Sequence, residues 1–524
     1  MARFSFSSRL ASAAALLLTS IPQLHVAQAQ QIAYQNGLGL TPQMGWDNWN
    51  AFGCDISEEL LLETAQKIVD YGLRDVGYHY IILDDCWSAG RSDNGTLQPN
   101  MTKFPNGMAY VADSLHNMSL GFGMYSSAGK LTCAQYAGSL GMEKQDAMTF
   151  AGWGVDYLKY DNCYNEGQEG NSMISYNRYK AMSDALNATG RPIFYSICNW
   201  GTDYPWNWAP TIANSWRIAG DIYDSFDRPD TRCPCTTWDC KLPGFHCSVM
   251  NILNKVAAFT DKGRVGGWND LDALEVGNSG MTDDEYKLHM TMWALFKSPL
   301  ILGTDITLLS PSTLSIIANP AILAISQDPA GKAAFRVWEK SPALVENNTY
   351  STDLYTVGST YFFTGQLTGG DFVIAFLNAG PTTQPMSATM NDIFVDQVTT
   401  GSSAPVPYLS VSWDVHDLWA NRMPDSVASS ILNGTFNNTS GANTDMLNGT
   451  AVPISYYYNS THSSYEEGLA ANNTALLGKK VGVLSPGGKV SASVAGHGVA
   501  AYRLRSQTMI PSASKMRRRK RDEL

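Results

Sequence analysis

The sequence has little charge, few histidines and no internal apolar run of membrane-spanning length. Only 16% of its 524 residues are charged and 44% are hydrophobic, which excludes a disordered chain and indicates a well-buried globular protein. The formal net charge of −11 argues against nucleic acid as a partner. Because no segment after the N-terminus is long and apolar enough to span a bilayer, no membrane partner is expected either.

Both ends of the chain carry targeting patterns. Arg3 and Arg9 precede an apolar run over residues 10–18, and Ala27-Gln-Ala29 offers a small-residue cleavage site, so residues 1–29 are predicted to be a secretory signal peptide. The chain ends in Arg521-Asp-Glu-Leu524, which resembles an endoplasmic-reticulum retrieval address, although a protease acting at Lys520-Arg521 would remove it. We expect a secreted protein with partial retention; a chance match to the address stays open.

Glycosylation acceptors and cysteines fit an oxidising compartment. The Asn-x-Ser/Thr sequons crowd between residues 433 and 474, which predicts a solvated insertion over about 430–475. The nine cysteines should largely pair and leave at least one over. Zinc is the competing interpretation for Cys233-Pro-Cys235, but no His-x-x-x-His partner accompanies it, so disulfides are favoured. The sequons are at Asn94, Asn100, Asn117, Asn187, Asn347, Asn433, Asn437, Asn438, Asn448, Asn459 and Asn472.

Strand and helix patterns alternate from residue 42 to about 305, in a chain long enough for two domains. This alternation predicts a (β/α)8 barrel within residues 30–330, and a doubly wound sheet is the alternative, although no Gly-rich phosphate loop follows the first strand. Helices are predicted over 58–71, 143–153, 176–187 and 283–297. The predicted strands are Gln43–Trp46, His79–Leu83, Gly121–Tyr125, Tyr157–Tyr160, Ile193–Ile197, Ser215–Ala219, Val265–Trp268 and Leu300–Gly303.

Short strands between Gly, Ser, Thr and Asn turns follow from about residue 331. They predict a C-terminal antiparallel β-sandwich over 331–506, and the basic tail over 507–524 is expected to be unstructured. The predicted strands are Phe335–Trp338, Asp353–Val357, Tyr361–Phe363, Phe372–Leu377, Val481–Leu484 and Gly498–Arg503.

Carboxylates and aromatic rings collect at the ends of the predicted barrel strands. Lys159 and Asp161 share one face of a strand and could be a surface ion pair, but in a barrel such strand ends meet at one mouth. Aspartate mixed with tryptophan is a sugar-binding composition, because carboxylates bind hydroxyls and indole faces pack against pyranose rings. Few histidines lie near these segments, so no metal and no cofactor are expected. Paired carboxyls such as Asp161 and Asp221 suit glycoside hydrolysis, although spacing alone cannot assign their roles.

The chain resembles the glycoside hydrolase family 27 α-galactosidases (melibiases), in particular their filamentous-fungal branch. The motifs that carry the resemblance are Leu40-Thr-Pro-Gln-Met-Gly-Trp46, Leu83-Asp-Asp-Cys-Trp87, Leu158-Lys-Tyr-Asp-Asn-Cys163, Ser215-Trp-Arg-Ile-Ala-Gly-Asp221 and Gly266-Gly-Trp-Asn-Asp-Leu-Asp272. The resemblance implies a retaining double displacement with Asp161 as nucleophile and Asp221 as general acid/base. It also implies disulfides Cys54–Cys86 and Cys133–Cys163. The implied sugar-binding residues are Trp49, Asp84, Asp85, Tyr125, Cys133, Lys159, Cys198, Trp200, Arg217 and Asp272.

Two features depart from the animal members of the family. Asn199 follows Cys198, and Ala213 stands where the partner of that cysteine would be, so Cys198 is predicted to be unpaired and buried beside the sugar's 2-hydroxyl. An insert running to Cys247 follows the acid/base strand, and nested pairs 233–247 and 235–240 are expected in it. The expected substrates are melibiose, raffinose-type oligosaccharides and galactomannan side chains. The alternatives are an α-N-acetylgalactosaminidase, a β-L-arabinopyranosidase and a non-catalytic sugar-binding barrel; the oligomeric state is left open.

Overall fold

A computed structural model describes residues 36–227, 247–340, 358–395, 406–435 and 455–508. The predicted signal peptide, residues 509–524 of the predicted tail, the predicted strand at 353–357 and three cysteines of the insert (Cys233, Cys235 and Cys240) lie outside these residues. Within the described ranges, no helix combines the length and the apolar character needed to cross a membrane.

Eight parallel strands form a sheet that closes on itself. They run in the order β10-β1-β2-β5-β6-β7-β8-β9, and a parallel bridge between Leu274 and Leu302 connects the two ends. The predicted (β/α)8 barrel is therefore confirmed. The strands are β1 (Met44–Asp47), β2 (Tyr80–Leu83), the hairpin strands β3 (Ser88–Arg91) and β4 (Leu97–Pro99), β5 (Gly121–Ser127), β6 (Tyr157–Asp161), β7 (Phe194–Cys198), β8 (Ser215–Arg217), β9 (Trp268–Asp270) and β10 (Leu300–Leu302).

The barrel strands lie where the sequence predicts them, with shifted ends. The largest shift is in β9, which was predicted from Val265 and begins at Trp268. Gly266 has φ +87°, in the left-handed region, inside a tight turn that brings Arg264 and Gly267 together, so the extended backbone starts only after this turn.

Helices connect the strands and cover the outside of the barrel. The helix predicted from Asp283 begins there because Thr282 and Glu285 form a capping box. The helix predicted from Tyr176 begins four residues earlier, at Ser172, because the Asn171 side chain accepts hydrogen bonds from the next turn. The helices in this part are Trp49–Phe52, Glu58–Asp70, Gly107–Asn117, Glu143–Gly152, Ser172–Ala188, Val249–Val256, Asp283–Leu295, Pro311–Ile317 and Pro320–Ser326, with 3-10 turns at Pro205–Asn207, Ala209–Thr211, Thr260–Lys262 and Ile306–Leu308.

Two antiparallel sheets follow the barrel and confirm the predicted β-sandwich. Six strands pair in the order β11-β12-β13-β18-β15-β16, and β14 pairs with β17 in a second layer. The strands are β11 (Phe335–Lys340), β12 (Thr360–Gln366), β13 (Phe372–Asn378), β14 (Gln384–Thr389), β15 (Trp413–Asp417), β16 (Lys479–Leu484), β17 (Lys489–Val494) and β18 (Gly498–Ser506). Short helices at Met390–Ile393, Val406–Leu409, Asp425–Leu432, Tyr465–Ala470 and Thr474–Leu477, with a 3-10 turn at Thr368–Gly370, accompany them.

The six-stranded sheet buries both of its faces. Phe362, Phe376 and Trp413 pack toward the β14–β17 layer, whereas Phe363 and Leu377 belong to the same core as the barrel helices. This double burial explains why β13 is a continuous apolar run rather than an alternating one. The sandwich is therefore joined to the barrel through a shared hydrophobic core.

Candidate active site

The carboxyl ends of the barrel strands surround an open cavity of about 860 Å3. All but one of the predicted site residues line it. The exception is Trp200, which lines a neighbouring cleft with Cys163, Tyr164 and Glu169. The predicted site residues that line the main cavity are Trp49, Asp84, Asp85, Tyr125, Cys133, Lys159, Asp161, Cys198, Arg217, Asp221 and Asp272.

Asp161 lies at the end of β6 with both carboxylate oxygens fixed by hydrogen bonds. The hydroxyl of Tyr125 donates to Oδ2 over 2.8 Å, and the backbone N–H of Asn162 donates to Oδ1 over 2.8 Å. The residue is only 6% exposed. The carboxylate is thus oriented by its surroundings before any ligand binds, which is the arrangement that a positioned nucleophile requires.

Asp161 and Asp221 influence each other's protonation. Burial and the charge of Asp221 raise the pKa of Asp161 to about 7, against the opposing effects of Lys159, the Asn162 N–H and the Tyr125 hydroxyl. Partial desolvation within the cavity also raises the pKa of Asp221, although its side chain is 41% exposed, and Arg217 opposes this effect. Once Asp221 is protonated its repulsion disappears, so Asp161 then carries the negative charge more easily. The form in which Asp221 carries the proton is therefore the one in which Asp161 ionises most readily.

Arg217, at the end of β8, connects two further carboxylates of the cavity wall. Its Nη2 lies 2.9 Å from Oδ1 of Asp221 and 2.6 Å from Oδ2 of Asp272. The guanidinium is buried, whereas the Asp221 side chain is 41% exposed and faces the cavity. Oδ2 of Asp272 also accepts a hydrogen bond from the backbone N–H of Ile222, over 2.8 Å. Arg217 and Asp272 thus fix the start of the segment that presents Asp221.

Lys159 forms a second charged group next to Asp161. Its Nζ lies 2.6 Å from Oδ2 of Asp84 and 3.6 Å from Oδ2 of Asp47. Burial and the neighbouring Asp84 raise the pKa of Asp47 to about 8. Asp47 was not among the predicted site residues, although its place at the carboxyl end of β1 is a signal that could have found it.

The cysteines near the cavity are arranged as predicted. Disulfides join Cys54 to Cys86 and Cys133 to Cys163, with Cα atoms 5.3 and 5.1 Å apart. Cys198 is buried and free, Nη1 of Arg217 lies 3.5 Å from its sulfur, and burial raises the pKa of the thiol. Cys247 is in a disulfide. The pairing within the insert stays a prediction, because its other cysteines lie outside the described residues.

The segments that follow β1, β8, β9 and β10 add cavity-lining residues that sequence reasoning missed. Glu275 accepts hydrogen bonds from the side-chain amides of Asn50 and Asn278, and burial raises its pKa to about 8. These residues lie several positions beyond the strand ends, where the alternating pattern gives no signal. The further lining residues are Ala51, Ile222, Tyr223, Asp224, Gly277, Ser279, Gly280, Thr304, Asp305 and Leu308.

The donor atoms near the cavity do not fit a metal ion. In the described part of the chain, the group whose ligand atoms come within 4.8 Å of one another is Cys133, Asp161 and Cys163. Both sulfurs are bonded to each other in a disulfide, so neither can act as a thiolate ligand. The carboxylate of Asp161 is then the one ligand that this group of three can offer to a metal ion.

Family models match both parts of the chain. The model described as Alpha galactosidase A matches residues 41–328, and the model described as Alpha galactosidase C-terminal beta sandwich domain matches residues 357–441. The chain belongs to the α-galactosidase (melibiase) family. The α-galactosidase of Zygotorulaspora mrakii is 55% identical over 494 residues, which cover 94% of this chain and 99% of that protein. The activity predicted from the sequence, hydrolysis of α-galactosides, is thereby confirmed.

Solved α-galactosidase structures share the whole architecture. The Saccharomyces cerevisiae α-galactosidase superposes with a TM-score of 0.82 at 52% identity, covering 90% of this chain and 99% of that one, and it has also been solved with raffinose. α-Galactosidase I of Mortierella vinacea gives a TM-score of 0.72 at 42% identity, covering 91% of this chain and 100% of that one. Barrel and sandwich therefore occur together in these α-galactosidases.

Proposed function

We propose that the protein releases terminal non-reducing α-D-galactose by a retaining double displacement, with Asp161 as nucleophile and Asp221 as general acid/base. The observation that carries this proposal is the contrast between the two carboxyls: Asp161 is buried and hydrogen-bonded at both oxygens, whereas Asp221 is held by Arg217 and exposed to the cavity. One group is fixed for attack, and the other can reach a leaving group.

The two steps use these groups in turn. In the first, an oxygen of Asp161 bonds to the anomeric carbon as the glycosidic bond breaks, and the proton of Asp221 passes to the departing oxygen. In the second, Asp221 takes a proton from water, the water oxygen bonds to the anomeric carbon, and the bond to Asp161 breaks. Two inversions leave the product with the configuration of the substrate. Lys159 and Arg217 supply positive charge close to both carboxyls throughout.

The polar residues around the cavity are assigned to the hydroxyls of galactose. Asp84, Asp85 and Asp272 can accept hydrogen bonds, and Lys159 and Arg217 can donate them. Trp49 and Tyr125 offer aromatic rings to the apolar side of the sugar. Cys133 and Cys198 complete the wall, while Trp200 is proposed as a contact at its edge, because it lines the cleft next to Cys163.

The proposed substrates are melibiose, raffinose-type oligosaccharides and galactomannan side chains. A cavity of about 860 Å3 open to solvent has room for one galactose and part of the attached chain. The Saccharomyces cerevisiae relative that was solved with raffinose supports the oligosaccharide class. The Cys198 side chain in the cavity wall favours a 2-hydroxyl over an acetamido group on the sugar.

Hydrolysis of two aryl glycosides tests the assignment. We expect turnover of 4-nitrophenyl α-galactoside at least about a hundredfold above that of the α-N-acetylgalactosaminide, because the acetamido group has no room in the wall. Asp161→Asn serves as the inactive control. Faster turnover of the N-acetyl substrate would make the protein an α-N-acetylgalactosaminidase, and binding of galactose without turnover of either would make it a sugar-binding barrel.

Secretion and membership of the filamentous-fungal branch are proposed from the sequence. The apolar run after Arg9, the cleavage site at Ala29 and the sequons support export. Mass spectrometry of the extracellular protein tests both ends: a chain beginning after residue 29 supports the signal peptide, and an intact Leu524 on most molecules would exclude trimming of the tail. The relatives described above include yeast enzymes, so a tree of yeast and filamentous members tests the branch.

A further inference from the structure

The segment that carries Asp221 touches the C-terminal sandwich. Within residues 221–227, the ring of Phe226 stacks on the imidazole of His497, with ring centroids 4.6 Å apart and an angle of 24° between the planes. His497 lies in the turn between β17 and β18, so it belongs to the sandwich rather than to the barrel. Phe226 is 4% exposed, and the imidazole of His497 is one of the groups that shield it from solvent.

His497 is itself fixed in place. Its Nδ1 lies 2.8 Å from Oε1 of Glu285, and its backbone N–H donates to the carbonyl of Gly380 over 3.0 Å. The other oxygen of Glu285 accepts the backbone N–H of Thr282 over 2.7 Å in the capping box of helix Asp283–Leu295. A barrel helix and a turn of the sandwich thus hold the imidazole against the ring of Phe226.

The same segment also has contacts within the barrel. Asp224 accepts a hydrogen bond from the hydroxyl of Tyr286 over 3.0 Å, and Tyr286 follows Glu285 on the same helix. The backbone N–H of Cys247 donates to the carbonyl of Asp221 over 2.6 Å. In the described residues, the stack between Phe226 and His497 is the aromatic contact that joins this segment to the sandwich.

We propose that His497 is a positioning residue for the general acid/base: held by Glu285, its ring packs on Phe226 and thereby fixes the segment that presents Asp221 to the leaving group. The inference rests on the proposed role of Asp221. A general acid acts only within hydrogen-bond reach of the atom it protonates, and a displacement of about 1 Å costs up to about a hundredfold in rate. The sandwich would in this way contribute to catalysis without touching the substrate.

A comparison of leaving groups separates this role from a general loss of structure. Phenyl α-galactoside needs the proton of Asp221 to depart, whereas 2,4-dinitrophenolate departs without it. For His497→Ala we expect kcat/KM to fall by at least about tenfold on the phenyl substrate and by less than about twofold on the dinitrophenyl substrate. The second step still needs Asp221 as a base to activate water, so a displaced Asp221 should lower kcat on the dinitrophenyl substrate. Azide should restore this kcat, because an anionic nucleophile needs no base.

Further variants keep the test decisive. His497→Gln retains a hydrogen-bonding group for Glu285, whereas His497→Phe retains the aromatic stack, and the latter should recover more of the activity on the phenyl substrate. Phe226→Leu removes the stack from the other side and should reproduce the pattern of His497→Ala. His462→Ala, at an exposed histidine in the same part of the chain, is the matched control and should behave as the parent.

The outcomes distinguish the proposal from the function on which it rests. An equal loss of kcat/KM on both substrates in His497→Ala and Phe226→Leu, or no loss on either, overturns the role of His497. Asp221→Ala should show the same leaving-group pattern in a stronger form, again with rescue by azide. If Asp221→Ala hydrolyses the phenyl substrate as the parent does, the assignment of Asp221 fails; if it shows the pattern while His497→Ala does not, only the present proposal fails.

Discussion

Replacing Asp221 with Asn tests the electrostatic coupling between the two proposed catalytic carboxyls. In the parent protein burial and the charge of Asp221 raise the pKa of Asp161 to about 7. Asn has nearly the same shape and no charge, so Asp221→Asn removes the repulsion and leaves the burial unchanged. The pKa of Asp161 should therefore fall, because Lys159, the Asn162 N–H and the Tyr125 hydroxyl still stabilise its charged form.

The size of the fall follows from Coulomb's law. Carboxyls of a retaining pair are about 5.5 Å apart, and at an effective dielectric constant of about 20 this gives about 3 kcal/mol, or about two pKa units. The pKa of Asp161 should accordingly move from about 7 to about 5. The fall has one direction: Asp161 ionises at lower pH when residue 221 carries no negative charge.

The pH dependence of kcat/KM measures this shift. With 2,4-dinitrophenyl α-galactoside, which needs no acid assistance, Asp221→Asn should show one ionisation near about pH 5 and a constant value at higher pH. The alkaline limb that Asp221 causes in the parent should be absent, since the variant has no proton to lose at this position. A midpoint that stays near pH 7, or an alkaline limb that persists, would refute the coupling.

Three further predictions concern groups around the cavity and at the boundary between barrel and sandwich. Lys159→Met leaves Asp84, whose side chain is 4% exposed, without its cation and should lower the free energy of unfolding by about 3–5 kcal/mol in urea titrations; an unchanged urea midpoint would contradict the buried ion pair. Because burial raises the pKa of the Cys198 thiol, iodoacetamide at pH 8 should alkylate the folded protein at least about tenfold more slowly than the urea-unfolded protein, and equal rates would show an open thiol. Arg422 lowers the pKa of Asp283 from its ordinary 3.8 to about 2, so this contact stabilises the fold above pH 3.8 and is lost as the pH falls through 2. Arg422 also donates hydrogen bonds to Ser312 and Ser315, which do not depend on the charge of Asp283. Since Asp283 is 44% exposed, the cost of Arg422→Ala should be larger at pH 5 than at pH 2 by at most about 1 kcal/mol, and an equal cost at both values would count against the ion pair.

The barrel could be predicted because its strands are short apolar runs with polar ends. The run from Tyr157 to Tyr160 and the one from Ile193 to Ile197 have the composition of strands buried on both sides, and parallel strands bring their carboxyl ends to one mouth. This convergence is what made Lys159 and Asp161 candidates for a site rather than a surface ion pair. The two disulfides followed from the family resemblance, not from spacing.

Other parts of the fold carried too weak a signal. Strands β14 and β17 contain Ser387, Ser491 and Ser493 and expose much of their length, so neither alternation nor apolar content marked them. Trp200 was expected in the site because it follows Cys198 closely in sequence. Its backbone has φ +57°, in the left-handed region, and its side chain lines the cleft beside the main cavity instead.

Contacts that depend on tertiary packing were beyond prediction. Glu275 reaches Asn50 from a loop after β9, and His497 reaches Phe226 from the second domain. No local pattern links such residues, because their approach is decided by the closure of the barrel in the first case and by the packing of barrel against sandwich in the second. Residues 455–475 illustrate the same point: assigned to a solvated insertion, they contribute Tyr465 and Leu469 to that core, and Asn459 is only 7% exposed.

Trapping the covalent intermediate tests the central claim most directly. A fluorinated α-galactosyl fluoride has a leaving group that needs no acid, and its ring fluorine slows the second step, so the galactosyl-enzyme should accumulate. After digestion, mass spectrometry should find one fluorogalactosyl group on the peptide that contains Tyr160-Asp161-Asn162, attached to Asp161. A label on Asp221 or on any other carboxyl, or turnover of the reagent without a covalent adduct, would contradict the assignment of Asp161 as the nucleophile.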